Sequence, residues 1–263
     1  MRALDIAASG MAAQDLNVQV ISNNIANMNT TGYKRQRAEF QDLLYEHVSR
    51  VGTQTSTQGN ILPVGIDLGG GVKTVGTPRL ITQGTLQQTG NTLDVAVIGD
   101  GFFKIQMPDG TFSYTRDGSF KMDAQGRIVT PEGNLVQPGI TIPQNSTGLA
   151  INAQGQVSVT VAGTTTPTIL GQLTLTRFLN EAGLQPGGDN LFTETPASGP
   201  PQDGLASIDG YGSIQQGSLE QANVDPVIDI SNLIAAQRAY EMNSKVVEAA
   251  NSMAGTISNL RTS

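Results

Sequence analysis

Residues 1–34 read MRALDIAASGMAAQDLNVQVISNNIANMNTTGYK, and between Arg2 and Lys34 the only charges are Asp5 and Asp15. Leu4, Ala7, Met11, Val18, Ile21, Ile25 and Met28 recur at alternating three- and four-residue spacing, with Gln14 the one polar entry. That spacing predicts one long helix, from about Ala3 to Asn27, with a seam turned to a partner. The far end of the chain repeats the pattern. Ile228, Ala235, Ala239, Met242, Val246, Ala249, Met253 and Leu260 make one stripe, and Leu233, Tyr240, Val247, Ala250, Ala254 and Ile257 make a second. Asp225-Pro226 marks its start, with Asp able to cap and Pro suited to the first turn. A lone surface helix carries Glu and Lys on its outer face, whereas these carry Asn, Gln and Ser. Both ends are therefore expected to contact protein. The expected class is α+β: terminal helices paired as a coiled coil, with a mostly antiparallel β domain inserted between them. The alternative, which sequence does not separate, is that each terminal helix pairs only with other chains.

Between the helices the sequence changes character. A short second helix is expected over Lys34–Val48, with Phe40, Leu43, Leu44 and Val48 on one face. Residues 52–71 are rich in Thr, Gln, Ser and Gly and read as an extended connector, in which Leu62, Pro63, Val64 and Ile66 offer an apolar anchor. Beyond it, short apolar runs alternate with turn residues. Asp94–Ile98 and Phe102–Met107 are expected strands. Pro108-Asp109-Gly110 turns the second into Phe112–Thr115 as a hairpin, and Thr168–Phe178 is the longest strand candidate. The expected domains are 1–45 with 221–263 (helical), 46–75 (connector) and 76–220 (β).

Composition narrows the function. The chain has 263 residues, 31 glycines, 12 prolines, no cysteine and a net charge of −7, of which −6 falls in residues 46–220. No thiolate is available for metal or nucleophilic chemistry. An acidic middle with only the short patch Lys34-Arg35-Arg37, read as a solvated helix start, argues against nucleic acid. No stretch approaches a membrane span, and Asp5, Gly10, Gln14 and Asp15 interrupt any leader-like apolar run. His47 reads as a solvated helix end. Asp100, Asp109, Asp117 and Asp123 sit in turn contexts and read as turn formers, not calcium ligands. No catalytic, cofactor or metal site is expected.

Specific strings then matter. Ser22-Asn23-Asn24-Ile25-Ala26-Asn27 with Thr30-Thr31-Gly32-Tyr33-Lys34 resembles the N-terminal signature of the bacterial flagellar rod and hook axial proteins. Val97-Ile98-Gly99-Asp100-Gly101-Phe102-Phe103, Tyr114-Thr115-Arg116-Asp117-Gly118-Ser119-Phe120 and Gln237-Arg238-Ala239-Tyr240-Glu241-Met242-Asn243 extend the likeness over nearly the whole chain. Length and the connector through Leu62-Pro63 are most like the distal-rod branch, with proximal-rod and hook subunits as the alternatives. The resemblance implies a helical homopolymer that transmits torque and leaves a channel. It implies proximal rod, hook, P-ring and L-ring partners, a place spanning the periplasm to the outer membrane, and unfolded export through the flagellar type III apparatus without a cleaved leader. A secreted adhesin or cap, trimerised by its helices, is the rival from another class. Candidate assembly residues are Leu4, Met11, Val18, Ile21 and Ile25 on the first helix. On the last they are Ala239, Tyr240, Met242, Val246, Val247, Met253, Ile257 and Leu260. Asn23, Asn24 and Asn27 offer amides that bond backbone without burying charge, and Gly32 is expected to take a left-handed turn.

Overall fold

The computed structural model describes residues 2–49, 64–163 and 166–262, with side chains as far as Thr256. The chain divides into two compact units. Unit 1 comprises Met1–Ile25, Gln36–Pro78 and Pro226–Ser263; unit 2 comprises Ala26–Arg35 and Arg79–Asp225.

Unit 1 holds both long helices, α1 (Arg2–Ala26) and α2 (Pro226–Thr262). The expected coiled coil of these ends is not what the structure shows. On α2 the large apolar residues Met242 and Met253 are 62% and 61% exposed, and Tyr240 and Val246 are exposed with them. The positions that α2 turns inward are mostly small or polar, with Ala236 buried and Ala239, Asn243, Ser244, Val247, Ala250 and Ala254 half-buried. On α1 the buried set is Ala7, Ala13, Val20, Ile21 and Asn24. The helices approach at Gly10, where a Cβ would lie 2.9 Å from Asn243 Nδ2. That contact joins a glycine to an amide and buries little apolar area. The large residues that would zip a coiled coil point elsewhere.

The helix expected over Lys34–Val48 is replaced by strands. Glu39–Asp42 pairs antiparallel with Val72–Gly76, and Glu46–Ser49 pairs antiparallel with Ile66–Leu68. Phe40, Leu43, Leu44 and Val48 satisfy a helical spacing, but long-range pairing with residues 66–76 overrides the local pattern. Ser9 Oγ on α1 accepts the Val72 N–H at 3.2 Å, fastening one ribbon to the helix. His47 is thus on an exposed strand. Its Nδ1 lies 2.6 Å from Asp67 Oδ1, a solvated pair that contributes little to stability. Leu62 and Pro63 lie outside the described residues, while Val64 and Ile66 are exposed.

Unit 2 is built on a nine-stranded antiparallel sheet among the described residues. The hairpin of Phe102–Gln106 and Phe112–Thr115 lies at its centre, turned at Asp109, whose Oδ1 accepts the Thr111 N–H at 2.9 Å. Asp117 and Asp123 make the same kind of turn, accepting from Ser119 and from Gln125. The run Thr168–Phe178 is broken at the buried Leu173. Thr168–Gln172 joins a three-stranded sheet with Ser146–Ile151 and Gln156–Val161, and Thr174–Arg177 pairs instead with Phe102–Gln106. A chain that changes sheets lets Leu173 and Leu175 serve one core, which also includes Val97, Phe103, Ile105, Val157 and Val159.

A second cluster packs Phe102, Tyr114, Phe178, Leu184 and Phe192, with Tyr114 and Phe178 rings edge-on at 4.7 Å. Burial pushes the Tyr114 hydroxyl up to about 12, with the carboxylates of Glu194 and Asp203 adding to the rise. The unfolded chain releases this proton near pH 10 and the folded chain holds it. Stability from this group is therefore complete below pH 10 and lost as pH rises toward 12, by about 2–3 kcal/mol in all. An ultraviolet difference titration should show a late tyrosine ionisation, near pH 12, that Tyr114→Phe removes. If all five tyrosines ionise together in the folded protein, Tyr114 is not buried as described.

Candidate functional site

Three charged side chains meet in the interior of unit 2. Lys34 and Glu220 are 0% exposed and Arg116 is 2% exposed. Lys34 Nζ donates to Glu220 Oε1 at 2.6 Å and to the Thr82 carbonyl at 2.9 Å. The same Oε1 accepts the Gly84 N–H at 2.8 Å. Arg116 Nη1 reaches Glu220 Oε2 at 3.5 Å, while its Nη2 donates to the Gly99 carbonyl at 2.8 Å. The Phe102 ring lies beneath the guanidinium at 5.3 Å. Burial pulls both Lys34 and Arg116 below their ordinary values, and the Glu220 carboxylate works against this for each. Two cations thus share one fully buried anion. Half-buried Glu181 is the next carboxylate felt by both, and burial raises its own value.

The segment carrying Lys34 is gripped along its length. Asn190 Nδ2 donates to the Thr31 carbonyl at 3.0 Å, and the Gly32 N–H donates to the Glu220 carbonyl at 2.8 Å. Asn223 Oδ1 accepts the Arg35 N–H at 2.8 Å, and its amide donates to the Leu80 carbonyl at 2.7 Å. Tyr33 is buried beneath Arg79, whose Nη1 donates to the Lys34 carbonyl at 3.3 Å. Gly32 has φ +68°, and a Cβ there would lie 2.7 Å from Asp117 N and 2.8 Å from the Arg116 carbonyl carbon. Gly32→Ala should cost at least about 1–3 kcal/mol from the left-handed backbone alone, before the clash is counted. Denaturant unfolding checks this, and a loss below the lower bound would mean that the turn relaxes freely.

In unit 1 a related device uses a neutral side chain. Asn24 on α1 donates to the Gln36 carbonyl at 2.8 Å and accepts the Gln36 N–H at 2.9 Å, mimicking a strand partner. Of the other residues singled out in the sequence, Ile21 is buried, Leu4, Met11, Val18, Ile25 and Asn27 are half-buried, and Asn23 is exposed. Ile257 and Leu260 fall on α2, but their side chains lie outside the described residues. Lys34 is not the solvated helix start expected of it. The sequence alone does not single out Glu220, Arg116, Asn190 or Asn223 as site residues. The available signal was that Lys34 and Arg116 stand inside aromatic, turn-bounded strings.

Three family descriptions match the chain. Residues 4–34 match "Flagella basal body rod protein", residues 96–159 "Flagellar hook protein FlgE/F/G D1 domain", and residues 215–260 "Flagellar basal body rod FlgEFG protein C-terminal". The flagellar basal-body rod protein FlgG of Caulobacter vibrioides is 54% identical, covering 99% of this chain and 100% of its own. That of Agrobacterium fabrum is 50% identical over 98% of each, and that of Borreliella burgdorferi 45% identical over 99% of each. The chain belongs to the flagellar basal-body rod protein family. It is a structural subunit of the flagellar basal body, most like the distal rod. The rod protein FlgF of Caulobacter vibrioides is a more distant 33% identical over 88% of this chain. In this rod subunit each matched segment supplies one member of the buried cluster: Lys34, Arg116 and Glu220 in turn.

Proposed function

We propose that the chain polymerises into a rigid helical tube, a drive shaft that carries torque from motor to hook and leaves a channel for exported subunits. The observation that carries this reading is α2 itself. Along its length Ile228, Met242, Val246 and Met253, which share one side of the helix, are exposed, while unit 2 buries its own core. An apolar face of that extent on one helix is suited to copies of the same chain in a closed wall. In this reading residues 1–45 and 221–263 build the tube, residues 76–220 form the outer β domain, and residues 46–75 act as a stiffening connector, with exposed Val64 and Ile66 as anchors against neighbouring copies. Proximal rod proteins and the hook protein meet its two ends, and P- and L-ring proteins surround it. The subunit reaches its place, from periplasm to outer membrane, through the flagellar type III apparatus.

Electron microscopy of the purified chain, concentrated in steps, tests the reading. Straight tubes of uniform diameter are expected. A discrete trimer that never elongates would favour an adhesin or cap instead.

A further inference from the structure

The chain passes between its two units at residues 25/26, 35/36, 78/79 and 225/226. On the unit 2 side, the segments next to three of these passages are bound to each other and not merely to the core. Lys34 ties residues 31–35 to Thr82 and Glu220, and Glu220 in turn holds the Gly84 N–H. Asn223 ties Arg35 to Leu80 and Thr82, and the Leu80 N–H donates to the Arg35 carbonyl at 2.9 Å. Apolar contacts are non-directional and let surfaces slide, whereas charge-assisted hydrogen bonds fix direction. These bonds gather at the exits of unit 2, and the apolar core of Val157, Val159, Leu173 and Leu175 is a separate cluster.

We propose that Lys34, Glu220 and Asn223 form a fastening through which torque enters and leaves unit 2, so that they set the stiffness of the assembled tube. They act as positioning residues, holding three chain segments in one direction relative to the unit. This rests on the rod reading above.

The test compares Lys34→Met, Asn223→Ala and, as a core control, Val159→Ala, all in the full chain. Hydrogen exchange is read on the soluble protein, and bending stiffness on assembled tubes by electron microscopy. In Lys34→Met the amides of residues 31–35, 79–84 and 220–223 should exchange about tenfold faster together, the scale expected for losing a charge-assisted hydrogen bond. Strands 146–151 and 156–161 should lose less protection than these segments, and the tubes should bend more than wild type. Asn223→Ala should give the same pattern more weakly, and carries the test if Lys34→Met fails to fold. Val159→Ala should loosen the core strands and leave stiffness unchanged. Tubes of wild-type stiffness from both fastening variants, or equal softening by Val159→Ala, would overturn the proposal. Failure of the wild type to form tubes would sink the rod reading, while the exchange pattern would still decide the fastening.

Discussion

Replacing Glu220 with leucine is expected to destabilise unit 2 by about 3–5 kcal/mol, the cost of stranding a buried charge without its partner. The loss is large because the carboxylate serves Lys34, Arg116 and the Gly84 N–H at once. Domains of this kind have only about 5–15 kcal/mol of stability in total, so about a fifth or more would disappear. Lys34→Met should be milder, near about 1.5–3 kcal/mol, because it leaves Arg116 and Glu220 as one cation facing one anion. Denaturant titrations followed by circular dichroism give both numbers. The ordering is the sharper part: a Glu220→Leu chain within 1 kcal/mol of wild type, or one more stable than Lys34→Met, would mean that Glu181 or water neutralises the cluster.

Val246→Asp should block assembly at the concentrations where wild type forms tubes, without disturbing the monomer. Val246 is exposed in the single chain, so the substitution adds a solvated carboxylate and costs the fold almost nothing. In a tube each copy would bury that charge against an apolar neighbour, at about 3 kcal/mol or more. That raises the concentration needed for assembly by about a hundredfold. Ile21→Asp is a poorer probe, since Ile21 is buried within its own chain and its loss would damage unit 1 as well. Sedimentation of tubes alongside thermal melting of monomer separates the two effects. Tubes from Val246→Asp at wild-type concentration would remove this face of α2 from the interface.

The helix ends were legible because their signals are local. Asp225-Pro226 opens α2, and the Asn- and Gly-rich exit after Ala26 closes α1. The Phe102–Gln106 and Phe112–Thr115 hairpin was legible from its Pro-Asp-Gly turn for the same reason. Residues 39–49 misled because Phe40, Leu43, Leu44 and Val48 satisfy a helical spacing, while their strand partners lie at residues 66–76. The coiled coil misled for a related reason. A heptad stripe on α2 records where apolar residues lie, not whether this chain or another copy covers them. The buried cluster was hidden because single charges are ordinarily solvated. Only folding brings Lys34, Arg116 and Glu220, far apart in sequence, around one carboxylate.

Electron cryo-microscopy of assembled tubes at side-chain detail is the most direct measurement of how this subunit builds a shaft. Met242, Val246 and Met253, exposed in the single chain, should be buried against neighbouring copies in the wall of the tube. A map in which these three residues face water, with copies touching only through unit 2, would contradict assembly through the helix face.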